Sequence, residues 1–345
     1  MFEQGDETAM AHITLPQTTD LFLIAPATAH TIAKLASGLA DDLLSTAALA
    51  STAPVLICPA MNTHMLVNQA TQDNLNTLEQ RGAIIVEPES GLLACGEVGA
   101  GRLARWDSVR EAMLGVLSAN DLAGEKILIT AGPTREPLDP ARYLSNRSSG
   151  KMGYALARTA KRRGAEVTLI SGPVHLEPPP GIELIRIATA HEMLNAVQQK
   201  AASSSIIVKA AAVADFTPVT TNALKIKKTG TGMELKLKAT TDILAELGHN
   251  RINDQIIVGF AAESNNHLAE GKRKLCHKNV DLMVVNDILG KNTGFDVDTN
   301  QVTLITENSV QQLKLLSKEE TADKIWDKVL ALKKGKPTKE KNSKK

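Results

Sequence analysis

Cysteine is scarce and scattered in these 345 residues. The three present, Cys58, Cys95 and Cys276, form no C-x-x-C pair. That excludes a disulfide framework and a zinc site of the usual spacing, and it fits a reducing cytoplasm. No apolar run approaches the roughly 18 residues that a membrane-spanning helix needs. The start, MFEQGDETAM, is acidic and lacks a signal-peptide core. Net charge is only +1, so no global field points to nucleic acid or a membrane surface. The neutrality hides a skew, because the tail KKGKPTKEKNSKK (333–345) carries +6 and leaves −5 for the rest. The tail is expected to be a disordered, solvated end. Two phosphate-binding signatures are also missing. SNRSSGKMG (145–153) has Ser145 where a Walker A loop needs Gly and Met152 where it needs Ser or Thr, and ITAG is no G-x-G-x-x-G.

What is present is an alternation of apolar runs with helical patterns, the signature of α/β architecture with parallel sheets. Chain length suggests about two domains. In the first, DLFLIAPAT (20–28), APVLICPA (53–60) and AIIVEP (83–88) read as strands. Residues 29–50, 70–82 and 106–119 read as helices, with Gly38 a weak point of the first. The glycine-rich 90–104 reads as a loop. NDLAGE (120–125) is a turn-rich linker, after which the pattern restarts. In the second domain, strands are predicted at 126–132, 165–172, 205–216, 255–264 and 280–288. Helices are predicted at 148–164 (with a Ser N-cap region), near 241–250 and 267–279, and from 318 onward. A polar stretch runs to Arg147, a small hairpin or flap lies at 224–240, and an antiparallel edge hairpin at 301–316. The expected fold class is two doubly wound, mostly parallel-sheet α/β domains.

Ligands in such sheets bind at the carboxyl ends of strands. Three ends in the first half stand out. At 25–34 Thr28 opens a helix whose free N–H groups suit a phosphate or ring system, although a plain N-cap explains it as well. PAMNTHML (59–66) places Asn62 between Met61 and Met65 at the end of a core strand; a simple turn residue is the bland explanation. ACGEVGAGR (94–102) joins a thiol to backbone able to fold over a ligand, although a lone Cys is commonly an inert small apolar residue.

Taken together, residues 8–118 resemble the flavin-dependent cysteine decarboxylases, in particular the phosphopantothenoylcysteine decarboxylase half of the bifunctional coenzyme A biosynthesis proteins. The resemblance rests on AHITL, IAPATAHTIAK, PVLICPAMNTHM and SGLLACGEVGAGRLA. It implies a flavodoxin-like domain in which Ala25, Pro26, Ala27 and Thr28 meet FMN. It makes His12 an active-site histidine, Asn62 the holder of the substrate's carboxylate and amide end, and Cys95 the proton donor in a flexible clamp. The implied chemistry is oxidation of the substrate thiol by FMN, loss of carbon dioxide because the thiocarbonyl accepts the electrons, and a proton from Cys95. Met61 and Met65 would pack around flavin and substrate. Family members begin with a glycine-rich βαβ unit that cradles the flavin phosphate. Met1 stands where they have interior sequence, so a segment on the order of 30 residues is expected to be lacking here.

In the second half the residues alone point to a phosphate or nucleotide ligand near Ser148–Gly150. The stretches ITAGPTREPLDPARYLSNRSSGKMGYALA, KAAAVADFTP, KIKK, GFAAE and KNVDLMVVND, over about 124–320, then resemble the phosphopantothenate–cysteine ligase half of the same family, a Rossmann-like domain. There CTP activates the carboxylate of 4′-phosphopantothenate as an acyl-cytidylate, and the amine of cysteine displaces CMP. By motif, Asn146 handles the acyl-cytidylate, Arg142 contacts the partner subunit's site and Lys225 supports the intermediate through charge on the triphosphate. Lys209, Ala210, Ala211, Asp215, Thr241, Asp242, Ile243, Leu244, Phe260, Lys274 and Lys278 would line the CTP site, with Asp215 a candidate Mg²⁺ ligand. The family commonly has Pro at the position of Thr241 and a small residue at that of Lys209. Residues 1–119 are thus expected to form the decarboxylase-like domain, 120–125 the linker and 126–332 the ligase. Expected partners are small molecules and further copies of the chain, as decarboxylase trimers linked by ligase dimers; nucleic acid and membrane are not expected. Two alternatives remain open: a ligase whose front domain only scaffolds assembly, and a non-enzymatic binding or regulatory protein.

Overall fold

A computed structural model describes residues 18–93, 96–227, 230, 233–252, 254–263, 267–287 and 297–335. The chain divides into two compact units, Met1–Ala119 and Asn120–Lys345.

The first unit runs β1 (Phe22–Ala27), α1 (Ala29–Ser37), α2 (Leu43–Ala50), β2 (Val55–Pro59), α3 (Thr63–Val67), α4 (Gln69–Gln80), β3 (Ile84–Ile85), β4 (Glu89–Leu92), β5 (Val98–Arg102) and α5 (Trp106–Val116). Strands β1, β2 and β3 form a parallel sheet in that order. Both faces are covered. Ile24 and Ile57 pack with Ile32 of α1 and with Leu75 and Leu78 of α4, whereas Leu56 and Cys58 pack with Val109 of α5. Burial on both sides is why the strand at 55–58 is continuously apolar rather than alternating.

Three expectations change. The helix predicted over 29–50 is two helices: Gly38 adopts a left-handed φ of 70° and ends α1, and Asp42 restarts the helix through a capping box with Ser45. The strand predicted over 83–88 is confined to Ile84–Ile85. The glycine-rich stretch read as a loop contains the antiparallel hairpin β4–β5. Its glycines do not end the pairing; they permit close approach. At Gly101 (φ 126°) a Cβ would collide with the carbonyl oxygen of Met61.

The second unit runs β6 (Lys126–Ala131), β7 (Arg135–Asp139), β8 (Arg142–Ser145), α6 (Lys151–Arg162), β9 (Glu166–Ser171), β10 (Glu183–Arg186), α7 (Ala190–Ala201), β11 (Ile206–Lys209), β12 (Phe216–Pro218), β13 (Leu237–Ala239), α8 (Ile243–His249), β14 (Ile256–Glu263), α9 (His267–His277), β15 (Leu282–Asp287), β16 (Thr299–Asn300), β17 (Val302–Thr306), β18 (Ser309–Gln312), β19 (Leu316–Ser317) and α10 (Lys318–Gly335). Its main sheet has the order β10-β9-β6-β11-β14-β15-β17-β18. The first six strands are parallel, and β17 and β18 close the edge as the expected antiparallel hairpin. Helices α6 and α10 cover one face, where the buried Trp326 indole donates to Thr159 Oγ1 at 2.9 Å. Helices α7, α8 and α9 cover the other. The chain winds one way from β6 and the other from β11, so these neighbours flank the topological switch point where ligands bind.

Several local expectations are corrected. The polar stretch before Arg147 holds the hairpin β7–β8. Helix α6 starts at Lys151 rather than 148, and its N-cap is Gly150 (φ 78°) with no side-chain cap bond. In place of the small hairpin expected at 224–240, β13 pairs with β12, and the described residues 224–227 and 233–236 lie in no strand. The strand predicted over 205–216 ends at Lys209. Elements β10 and α7 went unassigned from the sequence although Thr189 and Glu192 form a capping box. Finally, Lys333–Gly335 belong to α10 and not to the tail, with Lys333 bonded to Glu125; residues 336–345 lie outside the described residues. No helix among the described residues is long and apolar enough to cross a membrane.

Candidate active sites

In the first unit, parallel pairing of β1 with β2 puts Ala27 beside Pro59, so Thr28 and Asn62 follow neighbouring strand ends. Thr28 caps α1, accepting from Thr31 N at 3.2 Å, and Ala25, Pro26 and Thr28 are exposed while Ala27 is buried. Asn62 makes two specific bonds. Its Oδ1 accepts from His64 N at 2.8 Å, which caps α3, and its Nδ2 donates to Glu97 Oε2 at 3.0 Å. The β4–β5 hairpin clamps this loop: Met61 N donates to Gly101 O at 2.9 Å and Thr63 Oγ1 to Ala100 O at 2.7 Å. Asn62 is therefore a turn residue and also the point where the strand-end loop meets the hairpin. Met61 packs into the sheet core, whereas Met65 is exposed. His12 and Cys95 lie outside the described residues.

In the second unit a cavity of about 490 Å³ opens at the carboxyl ends of β11, β14 and β15, beside the segment 146–153 that leads into α6. Asn146, Lys209, Ala210, Ala211, Asp215, Phe260, Lys274 and Lys278 all line it. Asn146 Nδ2 donates to Ala212 O at 3.2 Å and Val213 O at 3.1 Å, tying the β8–α6 loop to the loop after β11. The buried Thr130 and Thr134 hydroxyls hold that second loop by accepting from Ala211 N and Ala214 N. Asp242 caps α8 and pairs with Lys278 at 3.0 Å. Burial opposes its charge, but the Ala245 N–H and the Lys278 ammonium prevail and hold the carboxyl below its ordinary range. Desolvation, with Lys278 and Lys274 nearby, pushes Lys209 down to about 8.

Thr241, Ile243 and Leu244 do not reach the cavity with their side chains. Ile243 and Leu244 belong to the core under α8, and Thr241 faces a separate cleft beside β12. Arg142 and Lys225 stand outside the cavity lining but together. The buried Asp139 carboxylate accepts from Arg142 Nε (2.9 Å) and Nη2 (2.6 Å) and from Ile226 N (3.1 Å), and Arg142 also donates to Ile226 O. The Lys225 backbone is thereby fastened to the β7–β8 hairpin. Asn286 and Asn300 also line the cavity, each with a buried carboxamide oxygen that has no hydrogen-bond partner among the described residues. Asn286 is the next-to-last residue of the quoted run KNVDLMVVND; nothing in the sequence pattern marks Asn300.

Residues 122–332 match the DNA/pantothenate metabolism flavoprotein C-terminal domain family, and residues 3–118 the Flavoprotein family. The coenzyme A biosynthesis bifunctional protein CoaBC of Bacillus subtilis (strain 168) is 45% identical over 338 residues, covering 96% of this chain and 83% of that protein. The chain belongs to the coenzyme A biosynthesis bifunctional protein family, a family of enzymes. A cysteine/cysteine sulfinic acid decarboxylase from an unknown prokaryotic organism is 42% identical, covering 96% of this chain and 94% of that protein. The solved C-terminal domain of a coenzyme A biosynthesis bifunctional protein CoaBC superposes on this CoaBC-family chain with a TM-score of 0.55 at 38% identity, covering 63% of this chain and all of that one.

Proposed function

We propose that the second unit joins 4′-phosphopantothenate to cysteine at the expense of CTP, and that the first decarboxylates the product with FMN. The supporting observation is the cation-lined cavity at the switch point, spanned by Asn146. Lys209, Lys274 and Lys278 offset the triphosphate charge, while Asn146 and the loop at 211–214 fix the reacting carboxylate against the α-phosphorus. The carboxylate attacks that phosphorus and pyrophosphate leaves. The resulting acyl-cytidylate has a good leaving group, which the cysteine amine displaces. Asp215 is the one carboxylate among the described lining residues. A single carboxylate plus phosphate oxygens suits Mg²⁺, so Asp215 would hold it against the triphosphate, where it supplies positive charge.

In the first unit, residues 25–28 and Asn62 share one sheet edge and would hold flavin and substrate. FMN supplies the two-electron oxidation when bound. The protein positions the substrate carboxylate at Asn62, excludes water with the β4–β5 hairpin, and supplies a proton from Cys95. Residues 1–119 would form the decarboxylase, 120–125 the linker and 126–332 the ligase. The chain would assemble through decarboxylase trimers and ligase dimers. The exposed Tyr143, Phe216 and Val219 beside the β7–β8 hairpin favour a dimer contact there. The decisive assay for the ligase is pyrophosphate release that requires both CTP and 4′-phosphopantothenate; its absence would sink that half. For the decarboxylase, colourless protein that releases no carbon dioxide from 4′-phosphopantothenoylcysteine would overturn the assignment.

A further inference from the structure

The proposed ligation leaves two residues of the second-unit cavity, Asn286 and Asn300, without a role. Each has a carboxamide oxygen that is shut off from water and has no hydrogen-bond partner among the described residues. Asn300 is 2% exposed, and its Nδ2 points at Met152 Sδ, a weak acceptor, at 3.8 Å. An unsatisfied buried acceptor is a standing cost to the fold, so its retention needs a reason. The torsion that aims a terminal amide is broad, and a modest turn presents either oxygen to the cavity without moving the backbone.

The cavity straddles the sheet edge, and its two sides differ in charge. Alternate residues of a strand point to opposite faces. Leu282 and Val284 pack under α6 and α10, so Asn286, two residues on, belongs to that face. Asn300 joins it there through Met152 of α6. Ile207 packs under α7, α8 and α9, so Lys209 belongs to the opposite face, the one that α9 covers and where Lys274 and Lys278 also line the cavity. Cations thus stand on one side and neutral carboxamides on the other.

In-line displacement then orders the substrates. The entering carboxylate approaches the α-phosphorus opposite the departing pyrophosphate. Pyrophosphate held by Lys209, Lys274 and Lys278 leaves toward the α9 face, so the carboxylate arrives from the α6 face, where Asn146 and the segment leading into α6 stand. The rest of 4′-phosphopantothenate must trail along that face. Between its charged ends the molecule carries one hydroxyl, one amide N–H and a pair of methyl groups. Neutral acceptors suit it, because a carboxylate acceptor would repel both of its ends. We propose that Asn286 and Asn300 are specificity residues for 4′-phosphopantothenate: their carboxamide oxygens accept from its hydroxyl and its amide N–H, with the methyl groups against Met152. The inference rests on the ligase reading and deepens it.

Steady-state ligation by the full chain tests this with two analogues of 4′-phosphopantothenate, one with hydrogen in place of the hydroxyl and one with an ester oxygen in place of the amide N–H. With wild-type protein, each analogue should show a KM about tenfold above that of the natural substrate. Asn286→Leu and Asn300→Leu should each raise the KM for 4′-phosphopantothenate by about the same factor, with kcat and the KM for CTP within about twofold of wild type. In the double-mutant cycle each variant should be indifferent to one of the analogues, because the partner of the missing donor is already gone. Retained CTP kinetics report that the fold survives. Asn286→Ala and Asn300→Ala repeat the test if Leu does not fit, and the wild-type arm needs no variant. An equal rise in the KM for CTP would make the pair a nucleotide contact and overturn the assignment. So would losses from variant and analogue that simply multiply, or wild-type protein that takes both analogues as well as the natural substrate. Wild-type protein that releases no pyrophosphate from CTP and 4′-phosphopantothenate would instead overturn the ligase reading, and this inference with it.

Discussion

Around Asn62 the fixed polar groups are neutral or acidic: Thr28, Thr63 and Glu97. Around Asn146 they are mostly cationic: Arg147, Lys151, Lys209, Lys274, Lys278 and Lys318. The first site is held by backbone and carboxamide bonds from a hairpin lying over a three-stranded sheet. The second is set into the switch point of an eight-stranded one. The contrast suits the chemistry proposed for each. A bound flavin brings its own reactivity and asks the protein for shape and position. A triphosphate brings charge, which only cations, metal or helix ends can offset. If the contrast is right, each site should fail in its own way and leave the other intact.

The largest expected effect tests the charged site. Asn146→Asp replaces the donor to Ala212 O and Val213 O with a carboxylate facing two carbonyls and an anionic ligand. Lys225→Gln removes a cation from the segment fastened to Arg142. Each should lower CTP-dependent ligation about 100-fold or more, while carbon dioxide release from supplied 4′-phosphopantothenoylcysteine persists. Unchanged CTP consumption in Lys225→Gln would remove that residue's proposed role.

The converse test is Gly101→Ala. A Cβ there must be accommodated at a left-handed φ and against the Met61 carbonyl, the contact that seats the hairpin over Asn62. The expected cost to the first unit is about 3 kcal/mol, read as a lower denaturation midpoint for that unit, with ligation retained. A wild-type midpoint would mean the hairpin is not seated as described.

Much of this was legible in the residue pattern, and the failures have physical causes. Continuous apolar runs marked the core strands correctly because parallel sheets bury both faces. The residues expected at the ligase site, Asn146, Lys209, Asp215, Phe260, Lys274 and Lys278 among them, meet at one cavity. The family resemblance groups Ile243 and Leu244 with them, yet successive residues in a helix's first turn send their side chains in different directions, and these two point into the core. The hairpin β4–β5 was hidden because glycines serve both turns and close backbone approach. The hairpin β7–β8 was hidden because its stabilising partner, the 221–226 segment, is distant in sequence. Asn300 was invisible, since a buried carboxamide at a sheet edge has no periodic signature.

A smaller effect concerns Asp139. Arg142 foremost, helped by the N–H groups of Ala141, Ile226 and Arg142, holds this carboxyl well below the usual carboxylate range. A depressed folded-state pKa gives stability that is complete above the unfolded value of about 4. It is lost as pH falls below that value and through the folded one. Asp139→Asn should therefore lower the melting temperature at pH 7 and flatten its decline on acidification. A variant that kept the wild-type acid slope would show that other carboxylates dominate it.

The smallest effect returns to Lys209, where function and stability pull in opposite directions. Its folded-state pKa, about 8, lies below the ordinary lysine value. In the free protein the folded state therefore binds this proton less tightly than the unfolded chain does. The resulting destabilisation is full below about pH 8, shrinks as pH rises toward the ordinary lysine value of about 10.4, and vanishes above it. Lys209→Met keeps the side chain's length without its charge, so it should raise the melting temperature of the free protein by a small amount at pH 7 and by less at pH 9. The same substitution should slow CTP-dependent ligation, since Lys209 is one of the cations proposed to offset the triphosphate. A variant that is both less active and less stable would mean Lys209 is held by contacts that burial and charge do not explain. One that is more stable and less active would show that this cation is kept for chemistry at a cost to the fold.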